Sequence, residues 1–254
     1  MRILIDSADL KEIKQILDYK IISGITTNPS LVSKTFKDQE RNSFMDFLAE
    51  FSKKPDVDKA QESDLSNLEV SVQVTETEYS KILDQGKRIL GMYDDYSEKQ
   101  KIIPKIPTNV VLKLPLTRDG IKACKYFADK GKKTNITLCF TANQALICAL
   151  AGATYVSVFL GRTEDNFDGT PEEKVLSSKK LIEDTKKVFD NYKFQTKILG
   201  ASIRNLNHIN ICSSVGIDAI TISPKLFYQM IDNEVSISGA KEFTQTWSES
   251  NLLL

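Results

Sequence analysis

A chain of 254 residues, 41% hydrophobic and 27% charged, has ordinary globular composition and enough apolar material for a large core. Its 34 basic and 34 acidic side chains cancel and are scattered along the chain, which excludes the broad positive field that nucleic acid or an anionic membrane surface requires. Four cysteines without a CxxC pair, and a start, MRILID, without signal-peptide features, lead us to expect a reducing cytoplasm.

Short apolar runs recur near residues 2–6, 21–25, 68–74, 109–114, 134–139, 154–159, 196–201 and 219–223. Segments with helical spacing lie between them, among them Ala8–Leu17, Thr141–Leu150 and Pro171–Val188. Two polar segments, 52–67 and 94–107, interrupt this rhythm and read as surface insertions within a single domain spanning 1–254. The uncharged stretch from Gln144 to Gly161 approaches the ~20 residues of a membrane span. Gly152 punctuates it, and alanine and leucine give way there to Tyr155, Val156, Val158 and Phe159, so a buried helix followed by a strand is expected. The acidic stretch Thr163–Thr170 reads as a loop, solvated or lying over a binding site.

Eight strands alternating with helices force a parallel sheet, either closed as a barrel or doubly wound. The strand ends decide between them. Asp6 closes the first run, Thr26 and Asn28 follow the second, Gln73 ends the third, Lys113 the fourth, and Thr137 lies in the fifth. Ser157 and Arg162 mark the sixth, Ser202 and Arg204 the seventh, and Ser223 the eighth. A ring of polar strand ends is what a barrel mouth needs, whereas an open sheet concentrates its site at one switch point. The expected fold is therefore α/β, a single (β/α)8 barrel. The two-residue period places Leu4 with Asp6, Val111 with Lys113, and Tyr155 with Ser157 and Phe159 on one inward face.

The chain has one histidine, His208, in the helical segment after Arg204, where a surface or capping role is expected. Neither a histidine cluster nor carboxylates with metal-ligand spacing occur, so no metal site is expected. Lys113 stands out in Val110-Val111-Leu112-Lys113-Leu114-Pro115, where every neighbour is apolar. Desolvation there lowers the pKa of the ammonium and supplies a neutral amine able to attack a carbonyl and form an imine. A structural lysine paired with a carboxylate such as Asp6 satisfies the same pattern, and the residues alone leave both readings open.

Two stretches resemble the signatures of the transaldolase family, which includes the fructose-6-phosphate aldolases. They are Gly24-Ile25-Thr26-Thr27-Asn28-Pro29-Ser30-Leu31 and the segment from Val110 to Ile121, VVLKLPLTRDGI. Similar pieces follow in family order: Leu4-Ile5-Asp6, Val72-Gln73-Val74, Asn135-Ile136-Thr137-Leu138, Ser157-Val158-Phe159-Leu160-Gly161-Arg162 and Gly200-Ala201-Ser202-Ile203-Arg204-Asn205.

The resemblance implies transfer of a dihydroxyacetone unit between sugar phosphates through a Schiff base on Lys113, a step of the pentose phosphate pathway, with no cofactor. It implies that Asp6 moves protons as the C3–C4 bond breaks and forms, and that Asn28 and Thr26 bind hydroxyls of the transferred unit. Thr137 would hold a proton-shuttling water beside Gln73, while Ser157 and Phe159 would line the substrate site. Ser202, Arg204 and Arg162 would clamp the substrate phosphate. Family members range from monomers to rings, which leaves a homo-oligomer open.

Two positions point in different directions within the family. Transaldolases carry glutamate where this chain has Gln73 and phenylalanine where it has Phe159; fructose-6-phosphate aldolases carry glutamine and tyrosine. Phe159, with Ser157 and the Gly161-Arg162 pair, favours the transferase, and a free aldolase is the alternative. A reading of another class is a catalytically silent sugar-phosphate-binding protein.

Overall fold

A computed structural model describes residues 1–37, 47–48, 50–51, 68–91 and 109–250. Eight parallel strands close in sequence order, β1 pairing with both β2 and β8. They are β1 (Arg2–Asp6), β2 (Ile22–Thr26), β3 (Glu69–Gln73), β4 (Val110–Pro115), β5 (Thr134–Cys139), β6 (Tyr155–Phe159), β7 (Lys197–Ala201) and β8 (Ala219–Ile222). The expected (β/α)8 barrel is the fold observed, and each strand lies within a residue or two of its apolar run. The two segments read as insertions, 52–67 and 94–107, lie outside the described residues.

The helices on the outer face are α1 (Leu10–Leu17), α2 (Pro29–Phe36), α3 (Tyr79–Ile89), α4 (Arg118–Asp129) and α5 (Ala142–Leu150). They continue with α6 (Leu160–Asn166), α7 (Pro171–Tyr192), α8 (Leu206–Val215), α9 (Pro224–Gln229) and α10 (Glu234–Glu249). Their starts are written locally. Asp9 accepts the N–H groups of Lys11 and Glu12 ahead of α1, and Thr141 accepts that of Gln144 ahead of α5. Thr170 and Glu173 exchange hydrogen bonds in a capping box that opens α7, with Pro171 at its first turn. Gln144–Gly161 resolves into α5, a turn, β6 and the start of α6, and no helix among the described residues is long and apolar enough to cross a membrane.

Two apolar layers hold the molecule together. One lies between strands and helices; the other fills the barrel and consists of Leu4, Val111, Tyr155, Leu199 and Ala219. Leu4, Val111 and Tyr155 thus meet on the inward face that the two-residue period assigns them. The four cysteines, Cys124, Cys139, Cys148 and Cys212, are unpaired and buried, and burial pushes the thiols of Cys139 and Cys212 up to about 12, which makes them packing groups rather than nucleophiles.

Charge closes the barrel's lower end. Arg2, Glu69 and Tyr155 begin β1, β3 and β6, and Lys133 immediately precedes β5. Tyr155 Oη donates to Glu69 Oε2 at 2.6 Å, Lys133 Nζ donates to Glu69 Oε1 at 2.7 Å, and Arg2 pairs with Glu69 at 3.0 Å while donating to the Tyr155 hydroxyl and the Ser23 carbonyl. Burial alone pushes the Glu69 carboxyl up, but the Lys133 and Tyr155 hydrogen bonds and the neighbouring cations outweigh it and hold the group below the usual carboxylate range.

Candidate active site

The upper ends of the strands deliver the polar residues to one mouth. β4 is apolar on both faces, so it carries Lys113 into the wall with only 6% of the residue exposed. Its Nζ donates to the Thr27 carbonyl at 3.0 Å. Among the described residues no carboxylate lies within ion-pair distance of it, so the structural lysine paired with Asp6 is not what forms. Burial lowers the Lys113 pKa from the ordinary lysine value; the Asp6 charge works against that shift, and Arg162 adds to it. Asp6 and Arg162 therefore both lie within electrostatic reach of the amine.

Asp6 is placed by its neighbour strands. Thr26 Oγ1 donates to Asp6 Oδ1 at 2.7 Å, and the Thr221 hydroxyl lies 2.7 Å from Thr26 Oγ1. Thr26 has one proton and gives it to the carboxylate, so Thr221 is the donor in the second bond. Both threonines are buried. The chain Thr221–Thr26–Asp6 fixes one carboxylate oxygen. Thr221 is a member of this set that sequence reasoning missed, since it sits within an apolar run whose end was marked by Ser223.

Asn28 caps α2, its Oδ1 accepting the Leu31 N–H at 3.0 Å. Gln73 sits opposite Lys113 in the β3–β4 register, half-buried beside it. On the other side of Lys113 the register brings Asn135, and two residues on it sets Thr137 opposite Pro115. Thr137 is 1% exposed, and its Oγ1 is a buried polar atom without a hydrogen-bond partner among the described residues. A buried hydroxyl in that condition calls for a water or a ligand. Leu138, the next residue, has φ +70°, and β5 carries one residue more than β6 between Ile136 and Cys139. This bulge re-aims the strand where Thr137 leaves it.

Ser157 is buried and donates to Asn135 Oδ1 at 2.7 Å, while Asn135 Nδ2 reaches Ser71 Oγ at 3.4 Å. Asn135 was quoted above only within a motif, yet it is fully buried, paired with Lys113 in register and the partner of Ser157. Phe159 ends β6 with its ring 5.8 Å from that of Phe140, and the Arg162 guanidinium lies over it at 5.6 Å.

The remaining residues gather where β6 and β7 end side by side. The Gly161 N–H donates to the Ser202 carbonyl at 3.0 Å. A Cβ on Gly161 would stand 2.5 Å from that carbonyl oxygen and 2.6 Å from Arg204 Nε, so only glycine lets the Arg204 side chain pass. Ser202 has φ +55°, a left-handed backbone held at the strand end. Arg204 is exposed, and its fork closes on both oxygens of Asp165 at 2.5 Å each. Arg204 thus makes a half-exposed ion pair.

Thr163–Asn166 is not a loop but the end of α6, and its acidic residues are tied down, Asp165 to Arg204 and Glu164 to His208. His208 is not at the surface: its ring is fully buried. The capping half of that expectation survives, because Nδ1 accepts the Arg204 N–H just ahead of α8, whose cap is Asn205.

Fold and site together define a (β/α)8 barrel with a buried lysine amine of lowered basicity at its mouth, flanked by a fixed carboxylate and exposed arginines. A family model described as Transaldolase/Fructose-6-phosphate aldolase matches residues 3–252. A probable transaldolase of Ruegeria sp. (strain TM1040) is 37% identical over 244 residues, 96% of this chain and 94% of its own. Those of Rhizobium meliloti (strain 1021) and Brucella melitensis biotype 1 are 34% identical over 251 residues and 32% over 253, with 98% of each chain covered. The chain belongs to the Transaldolase/Fructose-6-phosphate aldolase family of enzymes.

Proposed function

We propose that the chain is a transaldolase, moving a dihydroxyacetone unit from a ketose phosphate such as fructose 6-phosphate or sedoheptulose 7-phosphate to an aldose phosphate. The observation that carries this reading is the burial of Lys113, whose amine is neutral more readily than an ordinary lysine's. Nζ attacks the ketose carbonyl, the carbinolamine loses water, and the protonated imine draws electrons from the C3–C4 bond. Asp6, with one oxygen fixed by Thr26, takes the proton of the C4 hydroxyl as that bond breaks and returns it when the acceptor aldehyde adds. The unpartnered Thr137 hydroxyl holds the water that carries protons during carbinolamine formation, with Gln73 orienting it.

In the same reading Asn28 and Thr26 meet hydroxyls of the transferred unit. Ser157 acts by holding Asn135, and Phe159 presents an apolar edge that offers no proton to the intermediate, which then waits for an aldehyde. Arg162, Arg204 and Ser202 take the phosphate, which must replace Asp165 on the Arg204 fork. The exchange is feasible because an exposed ion pair is worth little. Residues 1–254 form one domain, working in the cytoplasm. The chain forms a homo-oligomer through α10, which buries no residue and exposes Val235 at 78% and Phe243 at 76%.

Borohydride reduction in the presence of fructose 6-phosphate should leave a stable adduct on Lys113, and Lys113→Met should abolish both adduct and turnover. Full activity in that variant would sink the mechanism. Gln73 favours a second reading, cleavage to free dihydroxyacetone. A coupled assay for glyceraldehyde 3-phosphate separates the two: release only when erythrose 4-phosphate is present marks the transferase, and equal release without it marks the aldolase. Phosphate binding with neither adduct nor turnover would leave a silent binding protein.

A further inference from the structure

The two arms of the anion site come from different strands. Arg162 lies in α6, which follows β6, whereas Ser202 and Arg204 follow β7. Among the described residues three links join the arms: the Gly161–Ser202 backbone bond, the Arg204–Asp165 pair, and a set of side chains centred on His208. The Arg204–Asp165 pair is half exposed, and a phosphate would compete with it. Only the His208 link is made by a side chain withdrawn from water.

We propose that His208 is a positioning residue for phosphate recognition, locking the backbone of Arg204 to the helix that carries Arg162; this rests on reading Arg162, Ser202 and Arg204 as the phosphate clamp. Its Nδ1 accepts the Arg204 N–H at 3.3 Å. Nε2 then carries the ring hydrogen and donates it to Glu164 Oε1 at 2.9 Å. The same oxygen accepts from Ser178 Oγ of α7 at 2.7 Å. Both ring nitrogens are used, so the buried ring has one satisfied orientation. From the other side, Asn205 Oδ1 accepts the His208 N–H at 2.9 Å and closes the turn between the arginine and the helix.

Glu164 stands two residues after Arg162 on a helix of seven residues, so whatever fixes Glu164 fixes the start of that helix. A histidine that only filled space would affect every property of the fold alike. One that holds two arms of an anion site together affects recognition of the phosphate and spares the chemistry at Lys113.

The test uses the full chain with His208→Phe, which keeps ring volume and loses both hydrogen bonds, and His208→Asn, whose amide oxygen can stand in for Nδ1. Three quantities are read: calorimetric affinity for inorganic phosphate, KM and kcat for fructose 6-phosphate, and the borohydride adduct formed on Lys113 with dihydroxyacetone, which carries no phosphate. His208→Phe is expected to weaken phosphate and raise KM by about fivefold or more, with adduct yield within about twofold of the parent chain. His208→Asn should recover most of the phosphate affinity.

Unchanged phosphate affinity in His208→Phe, or equal loss of affinity and adduct, would overturn the proposal. If His208→Phe does not fold, His208→Gln, which keeps an amide toward Glu164 and loses the Nδ1 acceptor, must show the same selective loss. A parent chain that binds phosphate but forms no adduct would refute the proposed function and leave the His208 test readable. One that does not bind phosphate would remove both the clamp and its positioning residue.

Discussion

At Lys113 the same burial that makes the amine reactive weighs against the fold. The unfolded chain keeps a lysine proton up to about pH 10.4, whereas the buried amine gives it up at a lower pH. Between those two values the unfolded state binds more protons, so stability rises with pH across that window, and below it the penalty is present in full. Lys113→Met is therefore expected to melt above the parent chain at pH 7 while losing all turnover, with the gap narrowing as the pH approaches 10. Paired melting curves at the two pH values check this; a variant that melts lower at pH 7 contradicts it. The sequence around Lys113 shows the desolvation plainly, because five apolar neighbours leave the side chain no wet face. It does not show the partner, since a backbone carbonyl such as that of Thr27 has no signature of its own. His208 was illegible for a related reason: one polar residue on a short helix has no period, and its partner Glu164 is 44 positions away.

Among the elements, the strands were the most legible, because β-branched runs with polar ends repeat eight times and only a closed barrel uses every end. The bulge in β5 was not. Leu138 is a residue without obvious tolerance for a positive φ, and only the pairing with β6 reveals the extra position. Among the described helices, α10 and α2 are alike in burying no residue. α10 has an Asn233 cap and a regular length of 16 residues, yet it buries nothing. Its exposed apolar side chains, Val235 and Phe243 foremost, are what the proposed contact with a second copy of the chain would cover. Replacing Val235 and Phe243 together by serine should reduce the sedimenting mass to that of one chain. An unchanged larger mass would place the contact elsewhere, and a parent chain already at single-chain mass would remove the oligomer.

For the whole molecule, the lower-end cluster predicts a change in endurance without a change in chemistry. Glu69→Gln removes the charge shared by Arg2, Lys133 and Tyr155 and is expected to cost about 1–3 kcal/mol at pH 7. Because the folded carboxyl titrates below its unfolded value, the stabilisation is complete above about pH 4.3 and is lost as the pH falls through the lowered pKa. The difference between parent and variant should therefore shrink in acid. Denaturant titrations at pH 7 and at about pH 3 measure it, with kcat and KM at pH 7 as the control expected not to move.

This arrangement gives the barrel a foot and a mouth that answer to different demands. No residue assigned to the substrate lies among Arg2, Glu69, Lys133 and Tyr155, and the layer Leu4, Val111, Leu199 and Ala219 insulates one end from the other. A search for a longer-lived catalyst can vary the foot freely without retuning the acceptor preference, whereas a search for a new acceptor can spend at the mouth the durability gained below.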